Sequence, residues 1–152
     1  MYIIALIILI FALVYSSVFG QPLESIYNVL DIPSLLIILM ITIPMLLASG
    51  LFPDLGRAFK VITFKKADYT KLELKRALEA VRLTFKLVVF SGFFGSLVGL
   101  INILRYLSSP ETIGPNVSVM LICTLYSVFA GFIFMPIAAK LKVMIYASDE
   151  EK

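Results

Sequence analysis

Four stretches of the chain carry no acidic or basic side chain, and each is long enough to cross a lipid bilayer. They cover residues 2–19, 32–53, 87–104 and 116–139. A helix of about 18 residues rises ~27 Å, which is close to the ~30 Å hydrocarbon thickness of a membrane. The sequence therefore predicts an all-α membrane protein with four transmembrane helices.

The composition leaves room for one compact membrane unit and no separate soluble domain. Of the 152 residues, 61% are hydrophobic and 15% are charged, whereas soluble domains contain about 25% charged residues. The chain has no histidine and a single cysteine, Cys123. It therefore lacks the side chains typical of zinc, haem and iron–sulfur sites and of Ser-His-Asp or Cys-His catalysis. We expect no enzyme activity, no metal and no cofactor.

The basic residues predict the orientation of the chain in the membrane. Nine of the 13 Lys and Arg residues lie between the second and third apolar stretches, and three follow the fourth. Cytoplasmic segments carry the excess of Lys and Arg in membrane proteins. Both termini are therefore predicted in the cytoplasm. Because topology explains the net charge of +3, that charge gives no reason to expect nucleic-acid binding.

These observations predict one membrane domain over residues 1–152. Its parts are a first span at 2–19, a second span at 32–53, a short helical cytoplasmic connection at 54–86, a third span at 87–107, a fourth span at 116–139 and a cytoplasmic tail at 140–152. An alternative interpretation treats residues 1–20 as a cleaved signal peptide. The basic residues that begin such signals are absent, and the apolar run is longer than their usual core, so we retain the first span.

The cytoplasmic connection contains a helix start. Thr70 and Glu73 have the spacing of a capping box, in which their side chains satisfy the first free backbone amides of a helix. Glu73–Arg76 and Glu79–Arg82 then have the spacing of ion pairs on one helix face. This charged face is either a solvated helix surface or a docking surface for a partner.

Spans three and four each carry small or hydroxylated residues on one helical face. These residues are Gly92, Gly95, Ser96 and Gly99 in span three and Thr124, Ser127 and Gly131 in span four. Close packing of membrane helices alone explains the glycines. The hydroxyl groups either bond to a carbonyl one turn earlier or line a polar interior. Since the four apolar stretches carry no charged side chain, a titrating group on an ion path through them would have to come from a partner.

Two prolines lie inside predicted spans. Pro44 frees the carbonyl of Met40 in span two, and Pro136 frees that of Phe132 in span four. Neighbouring groups can satisfy such carbonyls in membrane helices. Pro44 is therefore either a packed kink or a conformational hinge.

Several short motifs resemble a known family in order and spacing. They are DIPSLLI at 31–37, FPDL at 52–55, GSLVGLI at 95–101, IGPN at 113–116, TLY at 124–126 and PIAAKL at 136–141. The first two resemble the second span, and the others the third and fourth spans, of the MotA/TolQ/ExbB proton-channel family. The four spans and the internal C-terminus favour the MotA branch, the flagellar stator subunits, over the three-span TolQ and ExbB branch.

The resemblance implies a homo-pentameric ring around a dimer of a single-span MotB/ExbD/TolR-like protein. That partner helix carries an intramembrane aspartate, which takes up H⁺ or Na⁺ as the coupling ion and drives rotation. In this sequence, Ser96 and Thr124 match hydroxyl positions that line the family's ion path, and Ser127, on the same face as Thr124, is the third residue predicted for that path. Pro136 matches a proline tied to the conformational change.

The chain also departs from the family pattern. Val89 stands at the family's span-three proline, Cys123 at the first of two threonines and Ser127 at a glycine. The connection between spans two and three is only about 33 residues, whereas MotA proteins have a long cytoplasmic domain there. An alternative function is therefore a family scaffold or assembly protein without ion coupling.

Overall fold

The computed structural model describes residues 31–63 and 69–150, together with helical positions at 4, 7–9, 11, 12 and 15. Residues 31–63 and 69–150 form four helices. These are α1 (Ile32–Ala48), α2 (Phe52–Thr63), α3 (Lys71–Arg105) and α4 (Pro110–Glu150). The predicted all-α class is confirmed for these residues, while most of the predicted first span lies outside the described residues.

Helices α3 and α4 are each long and apolar enough to cross a membrane. α1 and α2 together give a third candidate span, but their axes differ by 101°, so this span is broken at the residues between them. With 35 and 41 residues, α3 and α4 are ~52 Å and ~62 Å long, well beyond the ~30 Å of a bilayer interior. The charged ends of the two helices therefore extend beyond the apolar segments, and the two helices together form a hairpin.

Helix α1 ends earlier than the predicted second span at 32–53. Asp31 directly precedes the helix and caps its first turn, because its side chain accepts a hydrogen bond from the Ser34 amide. The helix stops at Ala48 because Gly50 adopts a left-handed conformation with φ of 69°, which is a common way to end a helix. The residues after this break start α2 instead of continuing the span.

The start of α3 agrees with the sequence prediction, and the start of α4 differs from it. The predicted capping box at Thr70 and Glu73 is confirmed, and the predicted pair of Glu79 with Arg82 forms at 3.0 Å. α4 begins at Pro110, six residues before the predicted start of the fourth span at 116. The helix continues through Pro115, its sixth residue, which has no amide hydrogen to donate to the Glu111 carbonyl.

The hydrophobic core lies where α2 packs against the hairpin of α3 and α4. Its buried members are Ala58, Val61, Leu74, Ala77, Leu78, Val81, Ile137, Leu141 and Ile145. Helix α2 contributes Ala58 and Val61 from one side, while its Phe52 and Phe59 remain partly exposed. The core thus fixes α2 beside the charged ends of α3 and α4, and among residues 31–63 and 69–150 no helix covers the whole apolar α3–α4 face above it.

Candidate functional site

An open groove of about 650 Å³ runs along one face of the α3–α4 pair. Among the residues that the structure describes, its lining is apolar except for Ser96, Thr124 and Ser127, the three residues predicted for an ion path. The other lining residues are Phe85, Val89, Phe93, Met120, Val128, Gly131, Phe132 and Met135. The structure thus brings the three predicted hydroxyl groups to one uncharged surface, and their role in ion transport stays a prediction.

The hydroxyl groups of Ser96 and Thr124 contact each other across the two helices. Their oxygens are 2.9 Å apart. Both are also within hydrogen-bond distance of the Met120 carbonyl oxygen, Ser96 at 2.9 Å and Thr124 at 3.1 Å. Thr124 is exposed and Ser96 is half-buried. The pair is therefore accessible to a group that enters the groove.

This cluster of two hydroxyl groups and one carbonyl can bind an ion but cannot store a proton. Each hydroxyl oxygen offers two lone pairs and one donor, and the carbonyl oxygen offers two lone pairs. Hard cations prefer such oxygen ligands, and a protonated carboxyl group can donate to them. A carboxylate from outside the groove would supply the charge that the cluster lacks.

Ser127 belongs to a second chain of hydroxyl contacts, which crosses three helices. Its Oγ lies 3.0 Å from the Cys123 carbonyl oxygen and 3.3 Å from the Val88 carbonyl oxygen of α3. Ser91 Oγ lies 2.7 Å from the Leu87 carbonyl oxygen, 3.1 Å from the same Val88 carbonyl oxygen and 3.3 Å from Thr42 Oγ1 of α1. Ser127 therefore joins α4 to α3 at the edge of the groove, and Thr42 joins α1 to the same seam.

Three of the predicted packing glycines face α4 where the helices approach closely. A Cβ atom at Gly92 would overlap the Ser127 hydroxyl group and lie 2.8 Å from the Cys123 carbonyl oxygen. A Cβ at Gly95 would lie 2.7 Å from Cys123 Sγ, and one at Gly99 would lie 3.1 Å from the α4 backbone. A larger residue at any of these positions would push the helices apart, as expected for small residues in membrane helix interfaces.

The remaining predicted residues are less constrained. A Cβ at Gly131 would lie 3.4 Å from the Phe85 ring, which is a tighter contact than most but involves only a side chain. Pro44 and Pro136 are both exposed, and α1 and α4 continue as helices through them. Their role as hinges stays a prediction.

A buried carboxylate that the sequence analysis did not single out lies between α2 and α3. Asp54 is 1% exposed; its Oδ1 accepts from Arg57 of α2, and its Oδ2 accepts from Arg76 of α3 at 3.0 Å. Arg76 thus pairs with Asp54, whereas the sequence predicted Glu73 as its partner. Since a buried charge is costly unless paired, this ion cluster fixes the position of α2 against α3.

Comparison with known proteins supports the resemblance of the motifs. A model of the MotA/TolQ/ExbB proton channel family matches residues 56–151, which include α3 and α4. The uncharacterized protein YtxD of Bacillus subtilis (strain 168) is 48% identical over 52 residues, covering 34% of this chain and 19% of YtxD. No solved structure gives a significant match.

Two further relatives are named for motility or chemotaxis. Motility protein A of Aquifex aeolicus (strain VF5) is 46% identical over 52 residues, 34% of this chain and 20% of that protein. Chemotaxis protein PomA of Vibrio alginolyticus is 42% identical over 53 residues, 34% of this chain and 21% of PomA. The chain thus spans about a fifth of the length of these curated relatives. Because the family model covers well over half of the sequence, the chain belongs to the MotA/TolQ/ExbB proton channel family.

Proposed function

We propose that this chain is a subunit of an ion-driven membrane motor that surrounds the transmembrane helix of a partner protein. The partner carries an intramembrane aspartate that takes up H⁺ or Na⁺, and ion flow drives rotation or other mechanical work. The observation that carries the proposal is the Ser96–Thr124 hydroxyl pair, 2.9 Å apart, on an open groove whose described lining residues carry no charge.

The proposed assembly is a ring of five copies around two MotB-like partner helices. Each copy crosses the inner membrane four times, with both termini in the cytoplasm, as the distribution of Lys and Arg favours. The groove supports this arrangement, because its apolar side chains suit a membrane helix of a partner. The groove is open and has a volume of about 650 Å³. The two helices that form it pack tightly where the glycines of α3 meet α4.

In this assembly the oxygens of Ser96 and Thr124 face the partner carboxylate as it binds and releases the ion. These oxygens supply hydrogen bonds or cation ligands that replace the water molecules around the ion. Ser127 lies on the same groove and sets the distance between α3 and α4 through its contact with Val88. Pro136 is the proposed hinge of α4 toward its cytoplasmic end.

Ion flux through the complex tests this proposal. The complex is purified from its native membrane through a tag on this chain and reconstituted into vesicles with H⁺-sensitive or Na⁺-sensitive dyes. Thr124→Val keeps the side-chain shape and removes the hydroxyl group, so we expect flux to fall at least tenfold. Thr84→Val is the matched control, since Thr84 is buried away from the groove and donates to Ala80 in its own helix at 2.8 Å.

Flux in the Thr124→Val variant equal to that of the control would exclude the ion path at this pair. It would favour the second candidate, a family scaffold that organises a partner without ion coupling. Val89 favours that candidate, because it lines the groove at the family's proline position and leaves α3 without a proline there. A co-purifying single-span protein with an intramembrane aspartate would count against the scaffold.

A further inference from the structure

A second groove lies between α3 and α4, outside the apolar part of both helices. It has a volume of about 340 Å³, and its lining includes the apolar parts of Ile145 and Tyr146. The charged lining residues are Lys75, Arg82 and Lys142, which are basic, and Glu79, which is acidic. Glu79 pairs with Arg82 at 3.0 Å, and the Lys142 ammonium lies 5.7 Å from the centre of the Tyr146 ring. The groove therefore has an excess of positive charge.

This basic groove lies on the same face of the hairpin as the apolar groove. Along α3, Lys75, Arg82, Val89 and Ser96 follow one another at intervals of seven residues, and the first two line the basic groove and the last two the apolar one. Residues seven apart lie on one side of a helix, with a drift of only ~20° per interval. The two grooves are thus successive parts of one helical face.

The basic groove begins at the depth of the lipid headgroups. Arg82 precedes Leu87, the first residue of the charge-free stretch, by five residues, or ~7.5 Å of helix. Lys142 follows Ala139, the end of the other charge-free stretch, by three residues, or ~4.5 Å. The headgroup region on each side of a bilayer is about 5–8 Å thick. Both cations therefore lie where lipid phosphates are found.

We propose that this basic groove binds the headgroup of an anionic phospholipid in the cytoplasmic leaflet, with Arg82 and Lys142 facing the phosphate. Basic pockets between membrane helices on the cytoplasmic side bind such headgroups. A cytoplasmic segment of the proposed partner is a poorer occupant, because such segments are themselves enriched in Lys and Arg. The inference rests on the proposed orientation of the chain but not on the proposed ion path.

Retention of lipid by the purified protein tests the proposal. The full chain is delipidated in detergent, titrated with phosphatidylglycerol or phosphatidylcholine of equal acyl length, and examined by native mass spectrometry. The groove variant combines Arg82→Gln and Lys142→Gln. The matched control combines Lys86→Gln and Lys140→Gln, which make the same change in net charge outside the groove, at positions directly next to the charge-free stretches.

We expect the wild type and the control to bind phosphatidylglycerol more tightly than phosphatidylcholine. Each cation near an anionic lipid surface contributes roughly a fivefold gain in affinity, so the groove variant should bind phosphatidylglycerol roughly 30-fold more weakly. Free glycerol phosphate at equal concentration should not compete, because it lacks the acyl chains that hold the lipid at this depth. If the double variant does not fold, Lys142→Gln alone should show a roughly fivefold loss.

Equal binding of phosphatidylglycerol by the groove variant and the control would overturn the proposal. So would complete competition by glycerol phosphate, which would make the site one for soluble phosphates. Unchanged lipid binding together with loss of a co-purifying protein would assign the groove to a protein partner. The outcome is independent of the flux assay, since Thr124→Val is expected to leave lipid binding unchanged even where it abolishes ion flux.

Discussion

Replacing Gly92 by alanine tests the close packing of α3 against α4. In an open helix interior, alanine is favoured over glycine by about 1 kcal/mol. At Gly92, however, the new Cβ would overlap the Ser127 hydroxyl group and lie 2.8 Å from the Cys123 carbonyl oxygen. The serine side chain can rotate away, but the backbone carbonyl can move only if α4 moves with it. The substitution should therefore separate the two helices.

The expected loss of stability follows from three contributions. An extra methyl group in a packed interior costs about 1–3 kcal/mol. Rotating Ser127 away also breaks its 3.3 Å contact with the Val88 carbonyl, which contributes about 0.5 kcal/mol. After the gain of about 1 kcal/mol in helix propensity, we expect Gly92→Ala to lower the free energy of unfolding by about 0.5–2.5 kcal/mol. For a chain of this size, that loss lowers Tm by about 1–10 °C.

Thermal unfolding in detergent, followed by a thiol-reactive fluorophore, measures this change. The probe labels the single cysteine, Cys123, which is 0% exposed and becomes accessible when α3 and α4 separate. Gly56→Ala is the matched control, because a Cβ there meets nothing within 4 Å, so its Tm should rise slightly. Adding Ser127→Ala to Gly92→Ala should recover part of the loss. A rise in Tm for Gly92→Ala similar to that of the control would show that the helices are not in close contact.

Two further predictions concern the cytoplasmic ends of the helices. In a denaturant titration, Asp54→Asn should lower the free energy of unfolding by about 1–3 kcal/mol, less than for a fully buried pair because both of its arginine partners are partly exposed. Glu79→Gln, at an exposed pair, should change the free energy of unfolding by less than about 1 kcal/mol in the same titration. Equal effects of the two substitutions would contradict the burial of the Asp54 ion cluster. The Thr70 amide and hydroxyl group, which donate to the Glu73 carboxylate, hold the pKa of Glu73 below its ordinary value of 4.5, with a smaller effect of a nearby arginine charge. The stabilisation is therefore complete above pH 4.5 and is lost as the pH falls through the lower folded-state pKa. An NMR titration should find the pKa of Glu73 below 4.5 and partly raised in Thr70→Val, which keeps the amide donor and loses the hydroxyl donor; an unchanged pKa in that variant would argue against the hydroxyl bond.

Local features of the fold were predictable because they depend on residues close together in the sequence. Spacing alone predicts the capping box at Thr70 and Glu73. The charge-free stretches alone predict the apolar parts of α3 and α4. The end of α1 also had a local signal in Gly50, but the length of the apolar run to residue 53 obscured it. A charge-free stretch shows that a segment can lie in a membrane, and it does not show that the helix is continuous.

The glycines of α3 marked a packing face by their spacing, but individual pairs of side chains across helices were predictable only where the family resemblance aligned them. Ser96 and Thr124 were assigned to one path in this way, and the structure brings their oxygens to 2.9 Å. The pairing of Asp54 with Arg76 had no such signal, because it depends on the 101° bend that returns α2 to the hairpin. The contact of Ser91 with Thr42 was missed for the same reason: the rotation of one helix against another is not encoded in local spacing.

The central claim is that the α3–α4 groove receives a carboxylate from another polypeptide. Cryo-electron microscopy of the complex, captured from native membranes through a tag on this chain, examines this arrangement directly. We expect a closed ring of five copies with a foreign helix inside it, whose carboxyl group lies within hydrogen-bond distance of Ser96 and Thr124. A single isolated chain, or a ring too narrow to hold any foreign helix, would contradict the claim.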